Sequence, residues 1–489
     1  MRPHILAVDQ GTSSTKALLL DCAGDVVARA SVPLSQTHPG PGLVEQDGLA
    51  LLDSVRAAVA QCMKGRDPHV VAGLALSTQR ESALLWDVAT GHPVAPLVSW
   101  QDQRGSERAA RLERAGVSEL IRSRTGLPLD PMFSALKMAA LLDAHDPSRV
   151  LSRRGALRLG TVDAYLLQTL TGETVTEIGN ASRTQLVDLA EGDWDDELLE
   201  VFDIPGAALG RVVASNGPFG KLRGLDPLID GTPVLAVLGD SHAALFAHAG
   251  WRPGTVKVTY GTGSSAMAIA DAPEPAGNVC STIAWATGEV VYAQEANIRS
   301  TGRTLTWLAE LLGVTTEEII HSATGAEAGR VTLVPAFGGL GAPWWDAHAA
   351  PLLTGFDLGT GRHQLARAAL DSVALQVSDV LAALPRARQV VADGGLSRSD
   401  TLMQMQADVA DVAVARTPHH DLSAAGAAHL AGLSSGLWTT RDLEERADKD
   451  LRIFTPDWDD TRRNSIVARW HRCLAFARDL GSREELSTS

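Results

Sequence analysis

Apolar residues near the start of the chain form short runs broken by turn-forming residues. Three such runs are separated by the segments QGTSS and CAG: HILAVD (4–9), TKALLLD (15–21) and DVVARASVPL (25–34). Runs joined so closely predict an antiparallel meander of three strands. From Asp47 to Gly65 the apolar residues instead recur at helical spacing, which predicts a helix with Asp47 capping its start.

A longer apolar stretch follows this helix. HVVAGLALSTQRE (69–81) is nearly continuous in apolar residues until its polar end at Gln79, Arg80 and Glu81. Such a run is typical of a strand buried on both faces of a sheet. A mixed sheet covered by helices is therefore expected in the first half.

The pattern of the opening strands returns in the second half. GTVKVTYGTGSSAMAIAD (254–271) has the order strand, turn, strand, like residues 4–21. The strand-like and helical segments that continue this alternation are RVTLVPAF (330–337), residues 365–384, QVVADGG (389–395) and a helix from about Ser399. The repeat predicts two similar α/β domains, residues 1–245 and 246–489.

The buried strand GTPVLAVLGDSHAALF (231–246) precedes the predicted boundary and ends at Gly239 and Asp240. A chain of 489 residues is long enough for two cores of ordinary size.

Composition and charge exclude several classes of function. With 45% hydrophobic and 21% charged residues the chain has the composition of a soluble globular protein, and no apolar run is long enough for a membrane helix. The net charge of -15 argues against nucleic acid or an anionic membrane as a partner. The cysteines are far apart and form no CxxC pair, so neither zinc nor disulfides are expected and a cytoplasmic location fits: Cys22, Cys62, Cys280 and Cys473.

Two turns dense in Gly, Ser and Thr are candidates for phosphate binding. Their residues are Gly11, Thr12, Ser13, Ser14 and Thr15 in the first half and Gly261, Thr262 and Gly263 in the second. Backbone N–H groups and hydroxyls that converge in such turns can hold phosphate oxygens without net positive charge. Hairpins also use these residues for conformation alone, but two turns at matching positions favour a nucleotide clamp.

Carboxylates and glycines at strand ends extend this interpretation. Asp9 either contributes to a metal site through water or caps its turn. In ADGGLSRSD (392–400) the strand ends in Asp393, Gly394 and Gly395, which either admit a flat ligand or form a simple turn.

Nine motifs occur in an order that resembles the FGGY carbohydrate kinases, and among them glycerol kinase most closely. They are DQGTSSTK, STQRESALLWD, GLPLDPMFSALK, NASRT, LGDSHAALF, TYGTGSS, FGGLGAPWWD, ADGGLSRSD and AAGAAHLAGL. The resemblance covers roughly residues 4–450. It implies an α/β fold of two ribonuclease H-like domains, of the actin and Hsp70 type, with a ligand cleft between them.

The resemblance also implies roles for individual residues. Asp240 matches the family's general base, and Asp9 and Asp240 lie near the Mg²⁺ that accompanies ATP. The implied nucleotide-binding residues are Gly11, Thr12, Ser13, Ser14, Lys16, Gly261, Thr262, Gly263, Gly394, Gly395 and Ser399. The implied substrate-binding residues are Arg80, Glu81, Trp100, Met132, Ser241 and Ser265. From local sequence alone, Asp240 is equally a helix cap and the Arg80–Glu81 pair equally a surface ion pair.

Three departures from glycerol kinase fall on substrate positions. Met132 stands in place of a tyrosine, Ser241 of a glutamine and Ser265 of an aromatic residue. Fewer fixed donors and more room predict a longer polyol or open-chain sugar of four to six carbons, with His242 or Ser265 as extra partners. Alternatively, neighbouring groups restore the glycerol contacts. Lesser departures are Lys16 for arginine, Ala140 for tryptophan and Ser399 for asparagine.

The sequence therefore predicts an ATP- and Mg²⁺-dependent kinase acting on a terminal hydroxyl of a small polyol or open-chain sugar. Alternatives are glycerol kinase proper, a xylulokinase-like enzyme and, from another class, an actin- or Hsp70-like ATPase. The expected partner is a small molecule, with a homodimer as the assembly considered.

Overall fold

The computed structural model describes residues 3–275 and 277–488, with side chains described as far as residue 482. The strands of the first half are β1 His4–Gln10, β2 Ser14–Leu20, β3 Val26–Pro33, β4 Glu45–Gln46, β5 Val71–Thr78, β6 Leu84–Asp87, β7 Leu97–Val98, β8 Leu157–Gly160, β9 Val175–Glu177, β10 Val187–Asp188, β11 Asp193–Trp194, β12 Arg211–Val213 and β13 Val234–Gly239. Its helices are α1 Gly48–Cys62, α2 Ser106–Arg114, α3 Ser118–Thr125, α4 Ser134–His145, α5 Val150–Arg153, α6 Val162–Thr171, α7 Ile178–Ser182, α8 Asp196–Phe202 and α9 Asp240–Ala247.

The second half has the same mixture of elements. Its strands are β14 Thr255–Tyr260, β15 Ser264–Ala270, β16 Cys280–Ala286, β17 Val290–Ile298, β18 Thr332–Val334, β19 Leu352–Thr354, β20 Gln389–Asp393, β21 Ala413–Arg416 and β22 Arg452–Phe454. Its helices are α10 Gly302–Leu312, α11 Thr316–Ala323, α12 Arg362–Ala383, α13 Asp400–Ala410, α14 Leu422–Ser434, α15 Thr440–Ala447 and α16 Asp460–Thr488.

The first main sheet confirms the predicted meander. Its strand order is β13-β5-β1-β2-β3, with β1, β2 and β3 antiparallel and with β5 and β13 added in parallel on the other side of β1. Helix α1 starts where its sequence predicts, since the Asp47 side chain accepts hydrogen bonds from the Leu49 and Ala50 backbone N–H groups.

The second main sheet repeats this arrangement. Its order is β16-β17-β15-β14-β20-β21-β22, in which β14 is antiparallel to β15 and parallel to β20, and β20 is parallel to β21. The hairpin β14–β15 thus takes the place of β1–β2, and β20 and β21 take the places of β5 and β13. The predicted internal repeat is confirmed at the level of topology.

The segment RVTLVPAF contains the predicted strand, but that strand lies outside the main sheet. Within it β18 (Thr332–Val334) pairs with β19 in a separate two-stranded sheet. Strand β22 adds to the outer edge of the second sheet, beside β21.

Apolar cores lie on each main sheet and between the two sheets. One packs the first sheet against α1 and α6, and another packs the second sheet against α12 and α13. The third joins side chains from both sheets with α9 and α14, and it includes the Phe246 and Trp285 rings, whose centroids lie 5.2 Å apart. The boundary predicted near residue 245 falls within α9, and the division into domains stays a prediction.

All four cysteines are free, as their spacing predicts. Among the described residues, none of the helices combines the length and apolar character needed to cross a membrane.

Candidate active site

The parallel strands of each sheet end beside one another and bring polar side chains to a common edge. In the first sheet β1 ends near Asp9, β5 ends just before Gln79, and β13 leads directly into Asp240 at the start of α9. In the second sheet β20 ends at Asp393 and β21 at Arg416. Ligands of open α/β sheets bind at such carboxyl ends of strands.

A cavity of about 760 Å³ lies between these two edges. The first half contributes Asp9, Lys16, Asp240, Ser241 and Ala244 to its lining. The second half contributes Lys257, Thr259, Ser265, Asp393, Gly394, Gly395, Ser397, Arg398, Arg416, Thr417, Pro418, His419, His420, Asp421, Leu422 and Ser423. The volume suits a nucleotide-sized ligand with a small second molecule.

Asp9 is a buried carboxylate held at the end of β1. Its Oδ1 accepts a hydrogen bond from Ser77 Oγ on the adjacent β5 at 2.9 Å. Burial and then the negative charge of Asp240 raise the pKa of Asp9 from 3.8 to about 7. Two carboxylates thus share one end of the cavity.

Asp240 is the first residue of α9, and its side chain, which is 38% exposed, lines the cavity. Burial of the site raises its pKa, although the Arg80 guanidinium, with Nε 3.2 Å from Oδ1, opposes that effect. A carboxylate with a raised pKa at a cavity wall is a suitable proton acceptor.

The pair Asp9 and Asp240 also fits a hard divalent cation. In the described part of the chain no three His, Cys, Asp or Glu side chains form a metal-binding group on their own. Mg²⁺ is usually held by one or two carboxylates together with substrate phosphates. Asp9 and Asp240, two carboxylates that repel each other, therefore suit this ion.

Lys16 closes one side of the cavity. Its Nζ lies 2.9 Å from Oδ1 of Asp421, which belongs to the segment before α14 of the second half. This ion pair spans the two halves at the cavity wall.

Residues of the second sheet form the opposite wall. Asp393 Oδ2 lies 2.9 Å from His248 Nε2 at the end of α9. Burial would raise the pKa of Asp393, but the hydrogen bond with His248 and the charge of Lys257 hold it below its ordinary value. Gly394 must be glycine, because its φ is +90° and an added Cβ would lie 2.4 Å from the Tyr260 carbonyl oxygen.

The two Gly/Ser/Thr turns flank the cavity. Among the described residues, its lining includes Asp9 and Lys16 on either side of the first turn and Thr259 and Ser265 around the second, and none at the tips, 11–14 and 261–263. In the first turn Gly11 N–H donates to Ser14 O at 3.1 Å, and in the second Gly261 N–H donates to Gly263 O at 3.0 Å. Phosphate binding by these tips stays a prediction.

Arg80 and Glu81 lie behind the cavity wall. Each is 6% exposed, and neither is among the lining residues. Glu81 Oε1 accepts a hydrogen bond from Arg183 Nε at 2.6 Å, so the pair is part of a buried ionic cluster and not a surface ion pair.

The other predicted substrate residues divide into two groups. Ser241 and Ser265 line the cavity, as Asp240 does. Trp100 lies outside the lining, where its Nε1–H donates to Thr12 Oγ1 at 3.0 Å. Met132 packs against Phe133 and Cys280, away from the cavity.

Ser399, predicted to approach the nucleotide, is the N-cap of α13. Its Oγ accepts a hydrogen bond from the Leu402 backbone N–H at 3.3 Å. It is not among the lining residues, whereas the neighbouring Ser397 and Arg398 are.

Sequence reasoning did not single out three charged residues of the site. Glu295 and Arg183 are completely buried, and Lys257, which lines the cavity, is 2% exposed. A charged residue inside an otherwise apolar strand was the available signal for Glu295, in VVYAQEANI (290–298), and for Lys257, in TVKVTY (255–260). Their partners are too distant in sequence for a local pattern to reveal.

Known proteins resemble this chain along nearly its whole length. The N-terminal domain of the FGGY family of carbohydrate kinases matches residues 4–247, and the C-terminal domain of that family matches residues 256–435. An apulose kinase of Pectobacterium atrosepticum is 38% identical over 97% of this chain and 98% of its own length. A glycerol kinase of Aromatoleum aromaticum is 40% identical, covering 97% of this chain and 99% of its own.

A solved structure shows the same fold. The crystal structure of Plasmodium falciparum glycerol kinase with ADP superposes with a TM-score of 0.91 at 23% identity, covering 97% of this chain and 98% of that one. The two matched family domains and the near-complete coverage are consistent with the cavity found between two repeated sheets. The chain belongs to the FGGY family of carbohydrate kinases, which are phosphotransferases with an alcohol group as acceptor.

Proposed function

We propose that this protein transfers the γ-phosphate of ATP to a terminal hydroxyl of a small polyol or open-chain sugar, with Asp240 as general base. The observation that carries the proposal is the position of Asp240: a carboxylate with a raised pKa at the start of α9, on the wall of a cavity between two matching sheets. The substrate hydroxyl oxygen attacks the γ-phosphorus, its proton passes to Asp240, and the bond to the bridging oxygen of ADP breaks.

Residues of both sheets would hold the nucleotide. Lys16 on one side and Gly394 and Gly395 on the other line the cavity, and nothing lies within 4 Å of the point where a Cβ on Gly395 would stand. The turns 11–14 and 261–263 would hold phosphate oxygens if the two halves close further on the ligand. The ADP in the Plasmodium falciparum structure supports a nucleotide in this cleft.

Asp9 and Asp240 would hold Mg²⁺. When bound, this ion would neutralise the charge of the phosphate oxygens. A cation between them would relieve the repulsion that raises the pKa of Asp9.

The acceptor is expected to be larger than glycerol. Ser241, which follows Asp240 in the chain, and Ser265 line the cavity, where a longer polyol could bind their hydroxyls. Arg80 would support the site from behind its wall, because its terminal nitrogens are hydrogen-bonded to Glu295 and its Nε is buried. Relatives that act on apulose and on glycerol support a small sugar or polyol, and glycerol remains the second candidate.

The test is ADP release over a panel of C3 to C7 polyols, ketoses and sugar acids, with glycerol and apulose included. We expect ADP release that depends on an added acceptor, with the highest kcat/KM for one longer than glycerol. A preference for glycerol would establish the second candidate. ADP release that no acceptor stimulates would contradict the proposal and would support an ATPase instead. Membership of a carbohydrate kinase family argues against that class of protein.

A further inference from the structure

A cluster of buried charged side chains connects the two halves of the molecule beside Asp240. We infer that Glu295, on β17 of the second sheet, is a positioning residue that fixes the Arg80 guanidinium, so that only its Nε lies near Asp240 and without a hydrogen bond to it. The inference rests on the proposed function, because it takes Asp240 as the base. It assigns to the second half a direct part in preparing a base carried by the first.

The contact between Glu295 and Arg80 fixes the plane of the guanidinium. Arg80 Nη1 donates to Glu295 Oε2 at 2.8 Å, and Arg80 Nη2 donates to Glu295 Oε1 at 2.7 Å. Two parallel hydrogen bonds of this kind fix both the position and the orientation of an arginine head group. The remaining nitrogen, Nε, then lies 3.2 Å from Asp240 Oδ1.

The groups around Glu295 keep it ionised. Burial would raise the pKa of its carboxyl group, but Arg183 and Arg80 together hold that pKa well below its ordinary range. Arg183 Nη1 lies 3.2 Å from Glu295 Oε2. His242, whose Nε2 is 3.2 Å from Arg80 Nη1, is neutral because burial and the charge of Arg80 hold its pKa well below the ordinary value.

Glu295 shares the positive charge of Arg80 with Asp240. Without Glu295, the terminal nitrogens of Arg80 would be free to turn toward Asp240 and Glu81. Glu81 Oε1 lies 3.9 Å from Arg80 Nε. A guanidinium paired with Asp240 through two nitrogens would occupy the carboxylate oxygens that have to accept the substrate proton.

The contact also depends on how the two halves are arranged. Arg80 follows β5 and Asp240 follows β13 in the first sheet, whereas Glu295 lies in β17 of the second. The Arg80 side chain therefore takes this orientation only when the sheets are docked. Because the docked sheets place Arg80 beside the proposed base, phosphoryl transfer would depend on how the cleft is arranged.

The experiment compares Glu295→Gln and Glu295→Asp with Asp408→Asn. Asp408 is a matched control: a buried carboxylate of the same half, on α13, hydrogen-bonded to the Asp457 N–H at 2.7 Å. Thermal unfolding midpoints, kcat and the KM for ATP are measured with the best acceptor of the panel and with glycerol.

Glu295→Gln should lower kcat about 10- to 100-fold, whereas the KM for ATP should stay at the wild-type value. Glu295→Asp keeps the charge on a side chain that is one methylene shorter, so its kcat should be intermediate. Asp408→Asn should lower only the unfolding midpoint.

Two results would overturn the inference. One is a Glu295→Gln variant that unfolds at lower temperature yet keeps the wild-type kcat. If that variant does not fold, an unchanged kcat in Glu295→Asp is the other. Asp240→Asn, measured in parallel, separates the causes: wild-type turnover there would refute the base and the inference together, whereas an inactive Asp240→Asn with an unaffected Glu295→Gln would refute the inference alone.

Discussion

Replacing Gly426 by alanine should impair both the stability and the activity of this kinase. Gly426 lies on α14 where that helix crosses α9 between the two sheets. A Cβ at this position would lie 1.7 Å from the carbonyl oxygen of Ala243, a residue of α9. Because α9 begins at Asp240, any shift of this helix also moves the proposed base.

The size of the effect follows from that distance. Ordinary contacts begin near 3.4 Å, so the helices must separate by roughly 1.7 Å or tilt to accommodate the methyl group. Overpacking of this kind costs about 1 to 3 kcal/mol of unfolding free energy. A catalytic group displaced by about 1 Å can lose up to about 100-fold in rate, so we expect kcat to fall about 10- to 100-fold.

The assay pairs thermal unfolding with ADP release, and Gly432→Ala is the control. On the same helix, a Cβ at Gly432 would lie 1.9 Å from the Trp438 ring, away from α9. Both variants should therefore unfold at lower temperature, but only Gly426→Ala should lose kcat. Wild-type kcat in Gly426→Ala, or an equal loss in both variants, would refute the link between the helix crossing and the base.

Three other changes test separate parts of the site. Arg183→Met leaves Glu81 buried without its 2.6 Å partner and should lower the unfolding free energy by about 3 to 5 kcal/mol, measured by urea unfolding; an unchanged urea midpoint would contradict this. Asp9 has a folded pKa raised to about 7, so the stability tied to its protonated form is full below 3.8 and is lost as pH rises through about 7. In metal-free buffer, raising the pH from about 5 to about 7.5 should therefore lower the unfolding midpoint of Asp9→Asn less than that of the wild type. Equal changes in the two proteins would refute the raised pKa of Asp9. Ser265→Phe narrows the cavity and should lower kcat/KM for the longest acceptors at least about tenfold while sparing glycerol; equal losses for all acceptors would count against Ser265 as a specificity residue.

Local patterns in the sequence predicted the parts of this site that depend on neighbouring residues. The hairpin after Asp9 and the helix capped by Asp47 follow from short-range alternation and spacing, and both are present. The position of Asp240 between a buried strand and a helix is likewise local. Motif order then supplied the family, which the matched domains confirm.

Long-range contacts explain what the sequence could not provide. Glu295 contacts Arg80, which lies 215 residues away in the sequence. No local pattern around either residue identifies the other as its partner. The same holds for Lys16 and Asp421, whose ion pair joins the two halves. Likewise, β18 pairs with β19 in a separate sheet, and local spacing predicts a strand there but not its partner.

The most direct test of the account is the turnover of Asp240→Asn with saturating ATP, Mg²⁺ and the best acceptor of the panel. Asparagine keeps the size of the side chain but cannot accept the hydroxyl proton, so kcat should fall about 10²- to 10⁴-fold while ATP affinity and the unfolding midpoint stay near those of the wild type. Near-normal turnover in a folded variant that still binds ATP would contradict the claim that Asp240 is the base.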